Sequence, residues 1–304
     1  MRLSQKLWRQ RWLILFVLPG FIFFLVFAYA PMLGVIAAFQ RFDPALGFIR
    51  SPFVGFDNFI TVFTVPAFTR ALRNTLMLSG LRVTVVFAFG IVFAILLYEL
   101  RSVSFRRVIQ TCAYLPFFIS WVVASGLFFR LLALDGGIVN EILLALRLID
   151  EPIFFWGEPD RFYGIATFTN IWKNAGFNAI IFLAALTNIN PELYEASSID
   201  GANRFRKIWH ISLPGIKTVI VLMFILQIAT LMHAGFDQMW AMGNIAIRER
   251  SEIIDTLILR NLRTAGVHSM GPGAAMGLFT STASFTLFLL ANGLARLTKQ
   301  ESLV

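Results

Sequence analysis

Residues 191–214 read PELYEASSIDGANRFRKIWHISLP, a polar, helix-forming stretch set between two long apolar runs. Asn190 and Pro191 supply an N-cap and a first helical residue. Glu192 and Glu195 complement the positive end of the helix dipole, and Gly201 suits the left-handed residue that ends a helix. A second helix fits residues 202–212, with Phe205, Ile208 and Trp209 on one face and Arg204, Arg206 and Lys207 elsewhere. Pro214 is expected to stop it. Two short helices meeting at a glycine make a peg suited to a groove on another protein. An interfacial helix lying flat among lipid headgroups would also use basic residues and Trp209, and composition alone leaves both readings open.

The rest of the chain says membrane. With 58% hydrophobic and 14% charged residues and a mean hydropathy of +0.74, a water-soluble globular domain is excluded. Crossing hydrocarbon takes about 20 apolar helical residues. Six runs qualify, at approximately 13–39, 75–100, 109–134, 161–186, 216–236 and 275–297. None alternates as a barrel strand must. The predicted fold is an all-α membrane protein with six transmembrane helices, one transmembrane domain over residues 1–304, and a helix-turn-helix at 191–214 between helices four and five.

Arg2, Lys6, Arg9 and Arg11 precede the first run, which contains Ala28-Tyr29-Ala30, an order that resembles a signal peptide. The apolar stretch continues to Phe39, too long for such a leader, so cleavage is not expected. The basic start and the short Arg101, Arg106, Arg107 loop place both termini and the 191–214 segment in the cytoplasm. The net charge of +9 is dispersed through membrane-flanking loops, which fits anionic headgroups and not nucleic acid. Cys112 is the single cysteine, so an intrachain disulfide and a cysteine metal cluster are excluded.

No linker or clear repeat divides the chain. The outer loop 40–74 begins with turn-forming Pro44, Gly47, Pro52 and Gly55, after which residues 56–73 read as a short helix lying at the outer surface. Asp135-Gly136-Gly137 and Gly271-Pro272-Gly273 are turn signals. Pro19, Pro31 and Pro116 fall inside apolar runs, where a kink or break is expected, and helix one is expected in two pieces.

Glu195-Ala196, Asp200-Gly201-Ala202 and Ile211-Ser212-Leu213-Pro214 at this spacing resemble the EAA loop of permease subunits of binding-protein-dependent ABC importers. Residues 53–59 (FVGFDNF), 71–75 (ALRNT), 115–121 (LPFFISW) and 171–174 (IWKN) resemble the carbohydrate branch of that family, its oligosaccharide and polysaccharide importers in particular. Ser197, where the common motif has a small apolar residue, is a mild departure. The resemblance implies a type I permease fold, a second and different permease, an ATPase dimer and an extracytoplasmic solute-binding protein. It also implies multi-pass residence in a bacterial inner membrane. In that assembly Glu195, Asp200 and Gly201 would shape and orient the peg and Ala196, Ala202 and Leu213 would fill the docking groove, with Pro214 also among the ATPase-coupling residues.

The chain has no GxxxxGK[ST] phosphate loop, no HExxH pair and no GxSxG elbow, and His210, His233 and His268 are scattered. No enzyme is expected, and no cofactor in this chain; ATP and Mg would be bound by the partner ATPase. Arg82, about seven residues into helix two, and Lys173, about twelve into helix four, are intramembrane cations. Each costs about 2.5–3.5 kcal/mol near the bilayer centre unless it faces protein or water. The one acid within the spans is Glu99, at the far end of helix two, so a countercharge must come from Asp237, a companion subunit or the substrate.

Asn170, Asn174 and Asn178 recur every four residues beside Lys173 and Phe177, a face that can bind sugar hydroxyls while an aromatic covers a ring. Interhelical hydrogen bonding worth about 0.6 kcal/mol per contact accounts for the same pattern. Gln227 and the group Asp237, Gln238, Trp240 are further pathway candidates. Two unpaired cations suggest an acidic, uronic-acid oligosaccharide, with neutral oligosaccharides the alternative. A self-sufficient secondary carrier, or a membrane enzyme acting on lipid-linked sugars, is the reading from a different class; either needs a functional carboxylate that the spans do not supply beyond Glu99.

Overall fold

A computed structural model describes residues 10–297. Arg2, Lys6 and Arg9 and both chain ends, which enter the expected orientation, lie outside the described residues.

Among the described residues, three helices are long and apolar enough to cross a membrane: Arg11–Phe39, Pro66–Tyr98 and Ile254–Arg296. Two more apolar segments are bent pairs, Val103–Phe118 with Trp121–Leu131 at 104° and Arg204–Gly215 with Lys217–Ala229 at 61°. The helix Phe162–Thr187 has 26 residues, ample length to span at about 1.5 Å per residue, but its asparagines and Lys173 leave it short of the apolarity the other segments reach, so it is not among those long and apolar enough to cross. Among the described residues, β-type pairing is confined to an isolated antiparallel bridge between Gln40 and Phe53.

Several boundaries differ from expectation. Helix one is continuous, because a π-helical turn at Leu25–Tyr29 precedes Pro31 and spreads the ladder where the proline lacks its N–H. Residues 56–73 are not one helix: Val65 is extended, separating Asp57–Thr64 from a helix that begins at Pro66 and runs on through the second span. The fifth run ends as helix at Ala229, and Gly235, with φ +85°, precedes a separate helix Phe236–Met242. Gly271-Pro272-Gly273 lies inside the helix Met270–Leu297, where a proline in the first turn removes no needed donor; the turn is the preceding Gly266–Ser269 segment. The expected turn at 135–137 is present, with Gly136 at φ +67°. The break near Pro116 is present too: Pro116 opens the 3-10 turn Leu115–Phe118, and Ile119 is extended.

By backbone contacts the chain forms two compact units, one reaching Val65 together with Ile258–Phe279, the other Pro66–Leu257 with residues from Thr280 onward. In the first, Phe39 gathers Phe53, Phe56 and Phe59, and the Asn58 amide donates to the Ala38 and Gln40 carbonyls at 2.9 Å each. The apolar side chains of Arg11–Phe24 are all exposed, as lipid or partner contact demands and water would not tolerate.

In the second unit, Phe162–Thr187 buries Phe162, Ala166, Thr169, Lys173, Gly176, Ala179, Phe182 and Leu186 at three- and four-residue spacing. Its lower half packs with Phe87, Ala94, Ile95, Leu97 and Ile216 in one core cluster. Gly176 is what permits the approach of Val103–Phe118, since a Cβ there would lie 2.2 Å from the Ala113 carbonyl oxygen. Asn74, fully buried, donates to the Glu249 and Glu252 carbonyls at 2.9 and 2.8 Å and accepts from the Tyr163 hydroxyl at 2.6 Å. These bonds tie the polar start of Pro66–Tyr98 to Phe162–Thr187 and to the segment at residues 249–252.

Candidate functional site

The 191–214 stretch folds as a capped helical hairpin. The Asn190 side chain accepts from the Glu192 amide at 3.1 Å, and Pro191 opens the helix Pro191–Ile199. Gly201 takes φ +74°, and the Gly201 and Ala202 amides donate to the Ser198 and Ser197 carbonyls at 3.1 and 2.9 Å, closing the helix end. The second arm starts at Arg204, one cap later than expected, because Asn203 accepts from the Arg206 amide at 2.9 Å. Pro214 does not stop it. A π turn at Ile208–Ser212 precedes the proline, and the arm runs to Gly215 before breaking at Ile216.

Polar bonds lock the two arms together. The Lys207 ammonium donates to the Ser198 hydroxyl. The hydroxyls of Tyr194 and Ser212 share a hydrogen bond at 3.0 Å, and burial holds the Tyr194 hydroxyl above the ordinary tyrosine pKa, so it stays protonated. Its ring lies 6.0 Å from Tyr98, at the end of the second span, and Ile208 and Leu213 pack against the core cluster below. Ile199, Phe205 and Trp209 remain 88%, 84% and 69% exposed. The hairpin is thus stiff, anchored on one side and apolar on the other.

A second constellation lies among the helices of the same unit. Arg82, Asn170, Asn174, Asn178, Gln227 and Gln238 line a polar cavity of about 170 Å³, together with Trp121, Val86, Phe87 and Gly235. Arg82 falls at the midpoint of Pro66–Tyr98, because the helix starts at Pro66, ahead of the apolar run that opens at Thr75. It opens a π turn, Arg82–Val86, the kind of local widening that re-aims a side chain. Its Nη1 donates to the His233 carbonyl at 3.3 Å. On the cavity wall, Asn174 donates to Asn170 at 3.1 Å, Asn170 to the Gln238 side-chain oxygen at 2.9 Å, and Gln238 to the Ala166 carbonyl at 2.7 Å.

Lys173 is absent from that lining. Only 6% exposed, its ammonium donates to the carbonyls of Pro116 at 3.2 Å, Phe117 at 2.7 Å and Ile119, the carbonyls freed where the third span breaks. The Phe117 and Trp121 rings each lie 5.5 Å from the nitrogen. All three ammonium hydrogens are accounted for, so this cation holds a helix break and does not face the cavity.

Against this geometry stand three comparisons. Residues 86–300 match the family model described as "Binding-protein-dependent transport system inner membrane component". The chain belongs to that family. It is 40% identical over 304 residues to the polygalacturonan/rhamnogalacturonan transport system permease protein YteP of Bacillus subtilis, covering 99% of this chain and 93% of the relative. It is 32% identical over 276 residues to the arabinooligosaccharides transport system permease protein AraP of the same organism, covering 87% and 82%. A crystal structure of a bacterial alginate ABC transporter in complex with alginate pentasaccharide-bound periplasmic protein contains a chain that superposes with a TM-score of 0.90 at 34% identity, with 99% of each chain covered. The fold is that of a type I ABC importer permease.

In this permease the hairpin carries Glu195, Ala196, Asp200, Gly201 and Pro214 exposed and Ala202 and Leu213 half-buried. Five of the six pathway candidates, Arg82, Asn170, Asn174, Asn178 and Gln227, meet at one cavity, and Lys173 does not. Phe177, 43% exposed, stacks one ring face on Phe117 with centroids 3.8 Å apart and does not line the cavity. Asp237 is exposed and forms no ion pair with Arg82 or Lys173. Trp240 stacks on Phe236. Sequence reading missed Trp121 and Gly235 as cavity residues, and Asn203 as a cap. Asn203, directly before Arg204, was the one with a local signal.

Proposed function

We propose that this chain is a permease subunit of an ATP-driven oligosaccharide importer of a bacterial inner membrane, acting over residues 1–304 as one transmembrane domain with both termini cytoplasmic. It pairs with a second, different permease, rests on a dimer of ATPase subunits that bind ATP and Mg, and receives substrate from an extracytoplasmic binding protein. YteP and AraP, by name, transport polygalacturonan or rhamnogalacturonan and arabinooligosaccharides. Of these, the charged polymers agree better with a cationic cavity, so uronic-acid oligosaccharides are the proposed cargo.

The observation that carries the reading is the hairpin, rigid through its caps and its Lys207–Ser198 bond and presenting exposed Ile199, Phe205 and Trp209. Three large apolar side chains on a stiff element fit a groove in a soluble partner. Nucleotide-driven closure of that partner would move the hairpin, and the Tyr98, Tyr194 and Ser212 contacts would pass the movement to the spans. Because the chain has no phosphate-binding loop of its own, the energy enters there.

Reconstitution tests this. The two permeases and the ATPase in liposomes should show ATP hydrolysis stimulated by the loaded binding protein, with uptake from a panel of charged and neutral oligosaccharides. Stimulation absent under all substrates rejects the reading.

A further inference from the structure

We infer that Arg82 reads the carboxylate of a single uronic-acid unit in this cavity, with the sugar ring against Trp121; the inference rests on the permease reading above. Arg82 is the one charged residue among those lining the cavity, and the other polar members are neutral amides. A guanidinium has five N–H donors, and among the described residues Arg82 uses one, toward the His233 carbonyl. No carboxylate of the chain pairs with it among the described residues. A cation set within the apolar run of a membrane helix is costly without a countercharge, and a bidentate carboxylate is the partner that best fits a guanidinium fork.

The seat is built for that side chain. A Cβ on Gly235 would lie 3.0 Å from Arg82 Nη1, and Gly235 holds φ +85°, so glycine serves both the turn and the space. Lys173, the other cation of the unit's helical interior, is withdrawn to the carbonyls at the third-span break. That withdrawal has a second effect. It fixes Ile119 and Ser120, where Ser120 caps the helix beginning at Trp121, and so sets the indole at the cavity. Among the described residues no side-chain hydrogen bond engages the amides of Asn178 and Gln227, which line the cavity and are left for hydroxyls. At about 170 Å³ the space lies below the roughly 300–1,000 Å³ of pockets that enclose drug-sized ligands, which suits one ring of a chain passing through and not a whole oligomer.

Because the binding protein imposes its own selectivity, the test is equilibrium binding to the assembled permease–ATPase complex without it. The probes are a short oligogalacturonate and its carboxyl-reduced, neutral counterpart. Wild type should favour the charged probe. Arg82→Gln should cut the charged-to-neutral affinity ratio about tenfold or more, the worth of one charge-assisted contact. Arg82→Lys should recover part of it. Gly235→Ala, which keeps the charge but crowds Nη1, should lower the ratio by a smaller factor, and decides the matter if Arg82→Gln does not assemble. An equal fall for both probes, or no charge preference in wild type, overturns the inference. If such a complex still shows binding-protein-stimulated ATP hydrolysis, the permease reading stands and only the role of Arg82 falls.

Discussion

The ammonium of Lys173 donates to the carbonyl oxygen of Phe117 at 2.7 Å, joining the fourth span to the point where the third turns by 104°. A helix that breaks inside hydrocarbon leaves carbonyls that water cannot reach, and here a side chain from the neighbouring helix satisfies them. The break is therefore a built feature.

Lys173→Met should uncap those carbonyls and destabilise the purified permease complex by about 3 kcal/mol, read as a fall in thermal unfolding temperature in detergent. If Lys173 served substrate alone, unfolding temperature would be unchanged while uptake fell.

Gly176→Ala places a methyl 2.2 Å from the Ala113 carbonyl oxygen. Backbone cannot yield as a flexible side chain can, so a cost of about 1–3 kcal/mol is expected, seen as lower yield of assembled complex and a lower unfolding temperature. By contrast Gly164→Ala on the same helix meets open space and should be silent in both measurements.

Asn74→Ala removes two bonds to the Glu249 and Glu252 carbonyls and the acceptor of the Tyr163 hydroxyl. Left buried without partners, these groups should cost about 2–3 kcal/mol. Tyr163→Phe in the Asn74→Ala background should cost little more, which a double-mutant cycle measures.

The parts that were legible in the sequence are those whose causes are local. Asn190 and Pro191 start a helix, and Gly201 ends it, through contacts within a few residues. The fourth span and the asparagine face follow from spacing along one helix. What was not legible depends on distant chain. Lys173 and Arg82 looked alike as unpaired cations, because a search for acidic partners cannot see backbone carbonyls, and those carbonyls exist only because the third span breaks after Pro116. Gln238 read as an interfacial residue until its bonds to Asn170 and Ala166 placed it in the core. Prolines misled where π turns absorbed them, as before Pro31 and Pro214.

Gly201→Ala forces a Cβ into φ +74° at about 1–2 kcal/mol. The hairpin corner should loosen, and uptake per ATP hydrolysed in liposomes should fall more than the hydrolysis rate itself. Gly201→Asn, which tolerates the left-handed region, should be milder.

The central claim is that a soluble ATPase grips the exposed face of the hairpin. It is tested most directly by replacing Phe205, 84% exposed, with a photo-crosslinking residue in the assembled importer. A covalent adduct with the ATPase subunit, its yield changing when nucleotide binds, is the expected result. Adducts with lipid alone, unaffected by nucleotide, would contradict it.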